Sequence, residues 1–296
     1  MTVSVKRFVI DEPGLFRATA GFVDLFAKIP DPVLQVARKC STVNGKIAWI
    51  LLGTALFQDC SFSQISALLN LLFEKFPEDK LWTLPVPKDS EIEDCVKTAM
   101  NGCCWSVSEH ASGIFWSVGH FVRRHENLEG WLNSRSPREV WRDLGEIYFM
   151  GKGNPRPKAC AAIYRMISPA PVGLGLQTRP ADPQNPADSK MPSLPLTMGA
   201  RRFLSILGPG KDEKFAELPA ATKQKMANEF YVALASAQSK PAQSQPAQSR
   251  HPYVAAHALQ FFLEDGKDGF ICRVATDHCK KCPLYEYCGY AERHDR

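Results

Sequence analysis

The sequence predicts an all-α fold. Apolar residues recur at helical spacing along most of the chain, and no stretch alternates apolar and polar residues for long enough to indicate a β-strand. Residues 45–58 are almost entirely apolar, which is typical of a helix that is covered on all sides. We therefore expect this helix at the centre of a helical bundle.

The apolar spacing predicts a series of helices along the chain. For the fourth of them, Ser61 is a suitable N-cap, because its hydroxyl can accept a hydrogen bond from the first turn. The predicted helices span 21–27, 32–40, 45–58, 63–76, 90–99, 106–124, 137–148, 158–166 and 253–263.

Two segments interrupt the helical pattern. Residues 169–190 are rich in Pro, Gly, Asp and Asn and have no periodicity, so we expect a long loop. Residues 237–250 repeat Ala-Gln-Ser (AQSKPAQSQPAQS), and this composition cannot bury a core. We expect a disordered surface insertion there.

Length and charge set broad limits on function. The chain has 296 residues, 45% of them hydrophobic, and a net charge of +5, so it is long enough for two compact domains and mildly basic. This charge permits a polyanionic partner without requiring one. The N-terminal residues lack the apolar core of a signal peptide, and the longest apolar run, 47–57, is too short to cross a bilayer. The sequence predicts a soluble intracellular protein that does not bind membranes.

Four cysteines near the C-terminus predict a metal centre. Cys272, Cys279, Cys282 and Cys288 stand in the order C-x6-C-x2-C-x5-C. One close pair with longer, unequal arms suits an iron–sulfur cluster, in which each thiolate reaches a different iron. A zinc knuckle or a disulfide pair is the alternative. The other six cysteines are scattered and indicate reduced, mostly buried thiols.

This cysteine spacing resembles the C-terminal loop of the endonuclease III family of helix-hairpin-helix DNA glycosylases, which carries a [4Fe-4S] cluster. The resemblance implies a six-helix barrel at 46–168 and a helical iron–sulfur cluster domain formed from both termini, 1–45 and 191–296. It also implies double-stranded DNA as the partner, a monomer, and a cytoplasmic (nucleoid-associated) or nuclear location. The cysteine pattern covers only the last tenth of the chain.

Gln58 follows the apolar helix and is similar in position to a family glutamine in the segment LLSAQATD. That glutamine wedges into the duplex when the target base is flipped out. The alternative is that Gln58 is a polar residue that ends a buried helix.

A glycine-rich basic segment precedes the helix predicted at 158–166. It reads Met-Gly-Lys-Gly-Asn-Pro-Arg-Pro-Lys over 150–158 and resembles the family hairpin LPGVGRKTA. Such a turn exposes backbone N–H groups that bind a phosphate, and the resemblance assigns DNA contacts to Gly151, Lys152, Gly153 and Arg156. If the hairpin is lengthened, Lys158 takes the place of the catalytic lysine. If Gly151 and Gly153 match the family glycines, Pro155 stands there instead.

In bifunctional family members that lysine attacks the sugar C1′, displaces the base and forms a Schiff base, after which β-elimination cuts the strand. The amine must lose its proton to react, so its pKa has to be lowered by nearby cations or by a dry site. Arg156 is the candidate cation near Lys158.

The family aspartate of the VDTH segment has no counterpart in this chain. Its position falls on Thr197, whose neutral hydroxyl cannot offset a cationic sugar. Asp182 and Asp188, in the loop just upstream, are candidate replacements if the loop folds back. Otherwise they are solvated loop residues.

Other basic and aromatic residues also have two interpretations. Lys280 and Lys281, inside the cysteine loop, contact phosphates in the family pattern or form a solvated face. Arg201 and Arg202, which we expect just before an apolar helix, contact the DNA backbone or are surface charges. Trp105 is more typical of a core tryptophan than of a DNA contact, and His257 and His278 are not expected to ligate a metal.

Three functional hypotheses follow. The chain is a DNA glycosylase or glycosylase/AP lyase with Lys158 as its nucleophile. Alternatively it is a catalytically reduced DNA-binding relative, such as a damage sensor or a subunit, as Thr197 favours. A weaker third possibility is a cluster-bearing docking component of another nucleic-acid pathway. The sequence does not indicate which base would be the substrate.

Overall fold

The computed structural model describes residues 19–24, 27, 29–57, 60–100, 105–151, 156–170, 172–180, 193–206, 217–236 and 251–260. Within these ranges the chain is mostly helical and holds no β-strand, which confirms the all-α prediction. The chain divides into two compact units, a central one of residues 30–192 and a terminal one that combines 1–29 with 193–296. Residues 30–45, predicted to belong to the terminal domain, fall in the central unit by this division.

The central unit is built from eight α-helices within its described residues. A short 3₁₀ turn, Leu144–Glu146, follows the seventh helix. The helices are α1 (Pro32–Ala37), α2 (Val43–Leu56), α3 (Phe62–Lys75), α4 (Asp89–Met100), α5 (Trp105–His125), α6 (Leu128–Asn133), α7 (Pro137–Asp143) and α8 (Pro157–Ile167).

Helix α2 is the core of the central unit. Every residue in 47–56 is buried, and α2 packs against α1, α3, α5, α6 and α8. The all-apolar stretch therefore forms the buried central helix that the sequence predicts. Ser61 also has its predicted role, because its hydroxyl accepts from the backbone N–H of Gln64 while the Gln64 amide oxygen accepts from that of Ser61.

Gly53 allows three helices to meet closely. A methyl group on Gly53 of α2 would lie 2.9 Å from Val33 Cγ1 of α1 and 3.1 Å from Leu69 Cδ1 of α3. Both neighbouring side chains are fully buried and cannot swing into solvent. Glycine at this position is therefore a packing requirement of the core.

We expect Gly53→Ala to destabilise the central unit. Overpacking costs about 1–3 kcal/mol, which offsets or exceeds the roughly 1 kcal/mol gained in helix propensity. Urea unfolding followed by circular dichroism would show a lower midpoint. Gly21→Ala is the matched control, because nothing lies within 4 Å of its added methyl group. A Gly53→Ala protein as stable as the Gly21→Ala protein would contradict the packing role.

In its described part the terminal unit holds a helical stretch at 19–24 and the helices α9 (Met198–Ile206), α10 (Ala220–Ser236) and α11 (Pro252–Gln260). Helix α11 packs against both α9 and α10, and Phe203 of α9 lies 5.7 Å from Phe230 of α10, centroid to centroid. Close approach again selects glycine, because a side chain on Gly199 would collide with the last carbonyls of α11. The insertion predicted at 237–250 lies outside the described residues.

Some predicted elements differ from the structure. The helix predicted at 137–148 ends at Asp143 and continues only as the 3₁₀ turn, because Ile147 is extended and Phe149 is left-handed. Arg201 and Arg202 lie inside α9, so the expectation that they precede a helix is wrong. Helices α6 and α10 were not predicted. Residues 172–180 of the predicted loop hold no helix and run back along α8, where Leu174 and Leu176 donate to the carbonyls of Arg165 and Met166.

Candidate nucleophile site at the start of helix α8

Lys158 lies in the first turn of α8 and reaches the end of α2. Its Nζ donates to the carbonyl oxygen of Ala55 at 3.1 Å. Ala55 is in the last turn of α2, three residues before Gln58. The carbonyl end of a helix attracts positive charge, and a neutral amine can still donate the same hydrogen bond. The structure thus brings together two segments that the sequence singled out separately.

An aromatic ring also lies close to the Lys158 amine. Lys158 Nζ lies 5.5 Å from the centroid of the Phe149 ring. On the other side of the cluster, the ring of Phe149 packs 4.6 Å from the imidazole of His110 and 4.5 Å from the ring of Tyr148. A lysine above a ring face gains about 0.5–1 kcal/mol at an exposed site. Phe149 and the Ala55 carbonyl together fix the position of the amine.

The turn that carries Phe149 is strained. Phe149 has φ of 67° and Gly151 has φ of 101°, both in the left-handed region. For a bulky residue this backbone conformation costs about 1–3 kcal/mol and persists only where its surroundings impose it. Here the backbone N–H of Tyr148 donates to the hydroxyl of Ser117 at 2.8 Å, and Met150 is fully buried. Packing on α5 therefore holds the aromatic turn against α8.

Arg156 is used to join α7 to α8. Its Nη1 donates to the carbonyls of Trp141 at 3.1 Å and Arg142 at 3.2 Å, and its guanidinium lies 4.3 Å from the Trp141 ring centroid. Gly145 leaves room for it, since a side chain there would overlap the guanidinium. In this arrangement Arg156 caps the last carbonyls of α7. Its predicted contact with a phosphate, and its predicted electrostatic effect on Lys158, stay predictions.

A buried ionic network holds α8 against α1 and α2. Arg165 Nε donates to Asp31 Oδ2 at 2.8 Å, and Arg165 Nη1 donates to Thr54 Oγ1 at 3.1 Å. The side chains of Arg165 and Asp31 are only 3% and 6% exposed. Asp31 also caps α1 through the backbone N–H of Val33 at 2.9 Å. Since Arg165 is two turns beyond Lys158, this network fixes the register of α8 on α2.

Thr197 acts as a helix cap in the terminal unit. Its Oγ1 accepts from the backbone N–H of Ala200 at 3.2 Å, and its carbonyl accepts from that of Arg201 at 2.9 Å. Helix α9 therefore starts at the position where the sequence resemblance predicts an aspartate. Arg201 is exposed on α9, whereas Arg202 is half-buried.

The described cysteines do not form disulfides, and two of them are fully protonated at neutral pH. Cys40, Cys60, Cys95 and Cys160 are buried and free of disulfides, as the sequence predicts. Burial raises the pKa of Cys40 and the pKa of Cys160 to about 12, so neither is a thiolate at neutral pH. His257 is buried with its Nε2 3.2 Å from the carbonyl oxygen of Ile29. Within the described ranges, no group of three or more His, Cys, Asp or Glu residues is placed to hold a metal ion.

Many of the predicted site residues fall outside the described part of the chain. Of the hairpin segment 150–158, the structure describes Met150, Gly151, Arg156 and the start of α8. The predicted residues outside the described ranges are Gln58, Lys152, Gly153, Asp182, Asp188, Lys280, Lys281, Cys272, Cys279, Cys282 and Cys288.

Sequence reasoning missed the aromatic cluster and the Arg165 network. Phe149 and Tyr148 stand directly before the glycine-rich turn, so two adjacent aromatic residues were the available signal. His110 carries no sequence signal, because it is one of several histidines on α5 and meets Phe149 only through tertiary packing.

None of the helices in the described ranges is both long and apolar enough to cross a bilayer. Comparison of the chain with models of protein families, with curated proteins and with solved structures finds no match.

Proposed function

We propose that this chain binds double-stranded DNA and acts as a glycosylase or glycosylase/AP lyase of the helix-hairpin-helix type, with Lys158 as its nucleophile. The observation that carries the proposal is the hydrogen bond from Lys158 to Ala55. It puts a primary amine beside the segment in which a DNA-wedging residue, Gln58, is expected. The strained aromatic turn beside the amine supports the same assignment, because such strain concentrates at functional sites.

The proposed chemistry needs the amine in its neutral form. The Lys158 lone pair attacks C1′ of an extrahelical nucleotide, the N–C1′ bond forms, and the glycosidic bond breaks with departure of the base. Loss of a proton and ring opening give a Schiff base. Abstraction of a C2′ proton then expels the 3′ phosphate, and hydrolysis of the imine returns the lysine. The N-terminal end of α8 carries the positive end of the helix dipole, where a flanking phosphate would bind.

Thr197 favours a second candidate function, a DNA-binding relative with reduced catalysis. Its hydroxyl caps α9, and it supplies no negative charge at a position where the related enzymes have a carboxylate. Loss of one such electrostatic contribution is worth on the order of 10²- to 10³-fold in rate. Asp182 and Asp188 remain the proposed replacements.

Borohydride trapping on DNA tests both candidates. The full chain, purified without oxygen, is mixed with a duplex that holds one abasic site, and borohydride reduces any Schiff base to a stable adduct. We expect a covalent complex whose modified peptide contains Lys158. Tight duplex binding without an adduct would support the reduced relative, and neither binding nor adduct would reject the proposal.

We also propose that Cys272, Cys279, Cys282 and Cys288 hold a [4Fe-4S] cluster, on the strength of their spacing. We expect brown protein with iron and sulfide in equal amounts. Cys282→Ala should lose most of the visible absorption, whereas Cys95→Ala, which removes a buried free thiol, should retain it. If the purified protein were colourless and contained zinc, the four cysteines would be assigned to a zinc site instead of a cluster.

A further inference from the structure

We propose that one face of α5 is a stacking surface for unpaired DNA. This stacking surface consists of Tyr148, Trp116, His120 and Arg123. Its role goes beyond the proposed function, because it involves neither Lys158 nor the hairpin.

Trp116 is more exposed than any other large aromatic side chain among the described residues. It is 71% exposed, and its indole stacks on the imidazole of His120 with 5.7 Å between centroids and 23° between planes. Leaving a tryptophan in water forgoes the stabilisation that its burial would give. The stack therefore presents a flat aromatic surface to solvent. Packing of the fold does not explain why these rings are exposed.

Tyr148 extends the aromatic surface along the helix. It is 45% exposed and lies over α5 between Gly113, whose added methyl group would be 3.2 Å from Tyr148 Cε1, and Ser117, which accepts from its backbone N–H. Gly113, Trp116 and Ser117 are neighbours on the helix surface at spacings of three and four residues. The phenol ring thus lies over the same stretch of α5 that carries the indole.

Positive charge lies at the other end of the stack. Arg123 is exposed, and its guanidinium folds back over Gly119, one residue before His120. Among the described residues, no carboxylate pairs with Arg123, whereas the adjacent Arg124 is bound to Glu146 at 2.7 Å. Residues 113–123 contain no Asp or Glu. The surface therefore combines ring faces with a cation at the Arg123 end, whereas the exposed Glu109 lies one turn before Gly113, beside His110.

These features fit a single strand better than a duplex or a protein. Bases in a duplex hide their faces, whereas unpaired bases stack on exposed aromatic side chains while basic residues hold the phosphates. Ten residues of α5 rise by about 15 Å, which accommodates several bases at about 3.4 Å each. The exposed guanidinium of Arg123, with which no described carboxylate pairs, favours a polyanion as the occupant.

Fluorescence anisotropy with a labelled 12-nucleotide oligothymidylate tests the surface. We expect Trp116→Ala to bind the oligonucleotide about 5- to 150-fold more weakly, because one stacked base is lost. Trp116→Phe keeps a ring and should retain most of the affinity. Arg123→Gln should reduce the slope of log affinity against log salt by about 0.7. Val86→Ala is the matched control, because Val86 is an exposed apolar residue between α3 and α4.

Equal oligothymidylate affinity of Trp116→Ala and Val86→Ala would overturn the inference. So would a loss of affinity in Arg123→Gln alone, which would indicate a phosphate contact without stacking. Because Trp116 is largely exposed, we expect every variant to keep the wild-type circular dichroism. Borohydride trapping of the same variants separates this inference from the proposed function. An adduct that persists while oligothymidylate binding is unaffected by Trp116→Ala rejects only the stacking surface.

Discussion

Replacing Arg165 with methionine is expected to lower the free energy of unfolding of the central unit by about 3–5 kcal/mol, the usual cost of removing one partner of a buried ion pair. The change leaves the Asp31 carboxylate buried without its guanidinium, and it leaves the Thr54 hydroxyl without that donor. All six tryptophans lie within 30–192, so urea unfolding followed by tryptophan fluorescence reports this unit.

An exposed ion pair of equal quality provides the control for Arg165. Arg124 and Glu146 are 2.7 Å apart, against 2.8 Å for Arg165 and Asp31, but their side chains are 53% and 52% exposed. Arg124→Met should therefore cost about 0–1 kcal/mol. In addition, Arg165→Met combined with Asp31→Asn should be more stable than Arg165→Met alone, because the buried charge is removed while an oxygen remains to cap α1. Similar losses for Arg124→Met and Arg165→Met would contradict a special role for the buried pair.

The sequence predicted those helices that are determined by residues close together in the chain. Helix α2 was predictable because its apolar residues surround the whole helix, and the start of α3 because Ser61 and Gln64 form a capping box from residues three apart. Lys158 was proposed as a site residue only through resemblance, since a lysine in the first turn of a helix has no distinctive pattern of its own.

The rest depends on contacts between segments far apart in the chain. Arg165 looks like an ordinary charged helix residue until Asp31 and Thr54 approach it, more than a hundred residues away in sequence. The left-handed Phe149 has no local reason either, because no glycine or asparagine stands there, and packing on α5 imposes the conformation. Helix α6 was missed because it is only one and a half turns long, so it shows too little periodicity.

Lys158→Arg provides a strict test of the proposed nucleophile. A guanidinium retains positive charge and can still donate to the Ala55 carbonyl, but it stays protonated and cannot form a Schiff base. We therefore expect duplex binding to change little and borohydride trapping to fall on the order of 10³-fold or more. Lys158→Ala should lose trapping equally and some duplex affinity as well.

Lys39 offers a more exposed control lysine with similar contacts. Its Nζ donates to Asn70 Oδ1 at 2.7 Å and lies 5.6 Å from the Phe73 ring centroid, which reproduces the carbonyl and ring contacts of Lys158. Lys39→Arg should trap as the wild type does, because a held amine is reactive only where a flipped nucleotide can reach it. An adduct that survives in Lys158→Arg and is lost in Lys39→Arg would move the nucleophile to Lys39. Loss in Lys158→Arg alone would show that position at the end of α2, rather than the local contacts of the amine, determines reactivity.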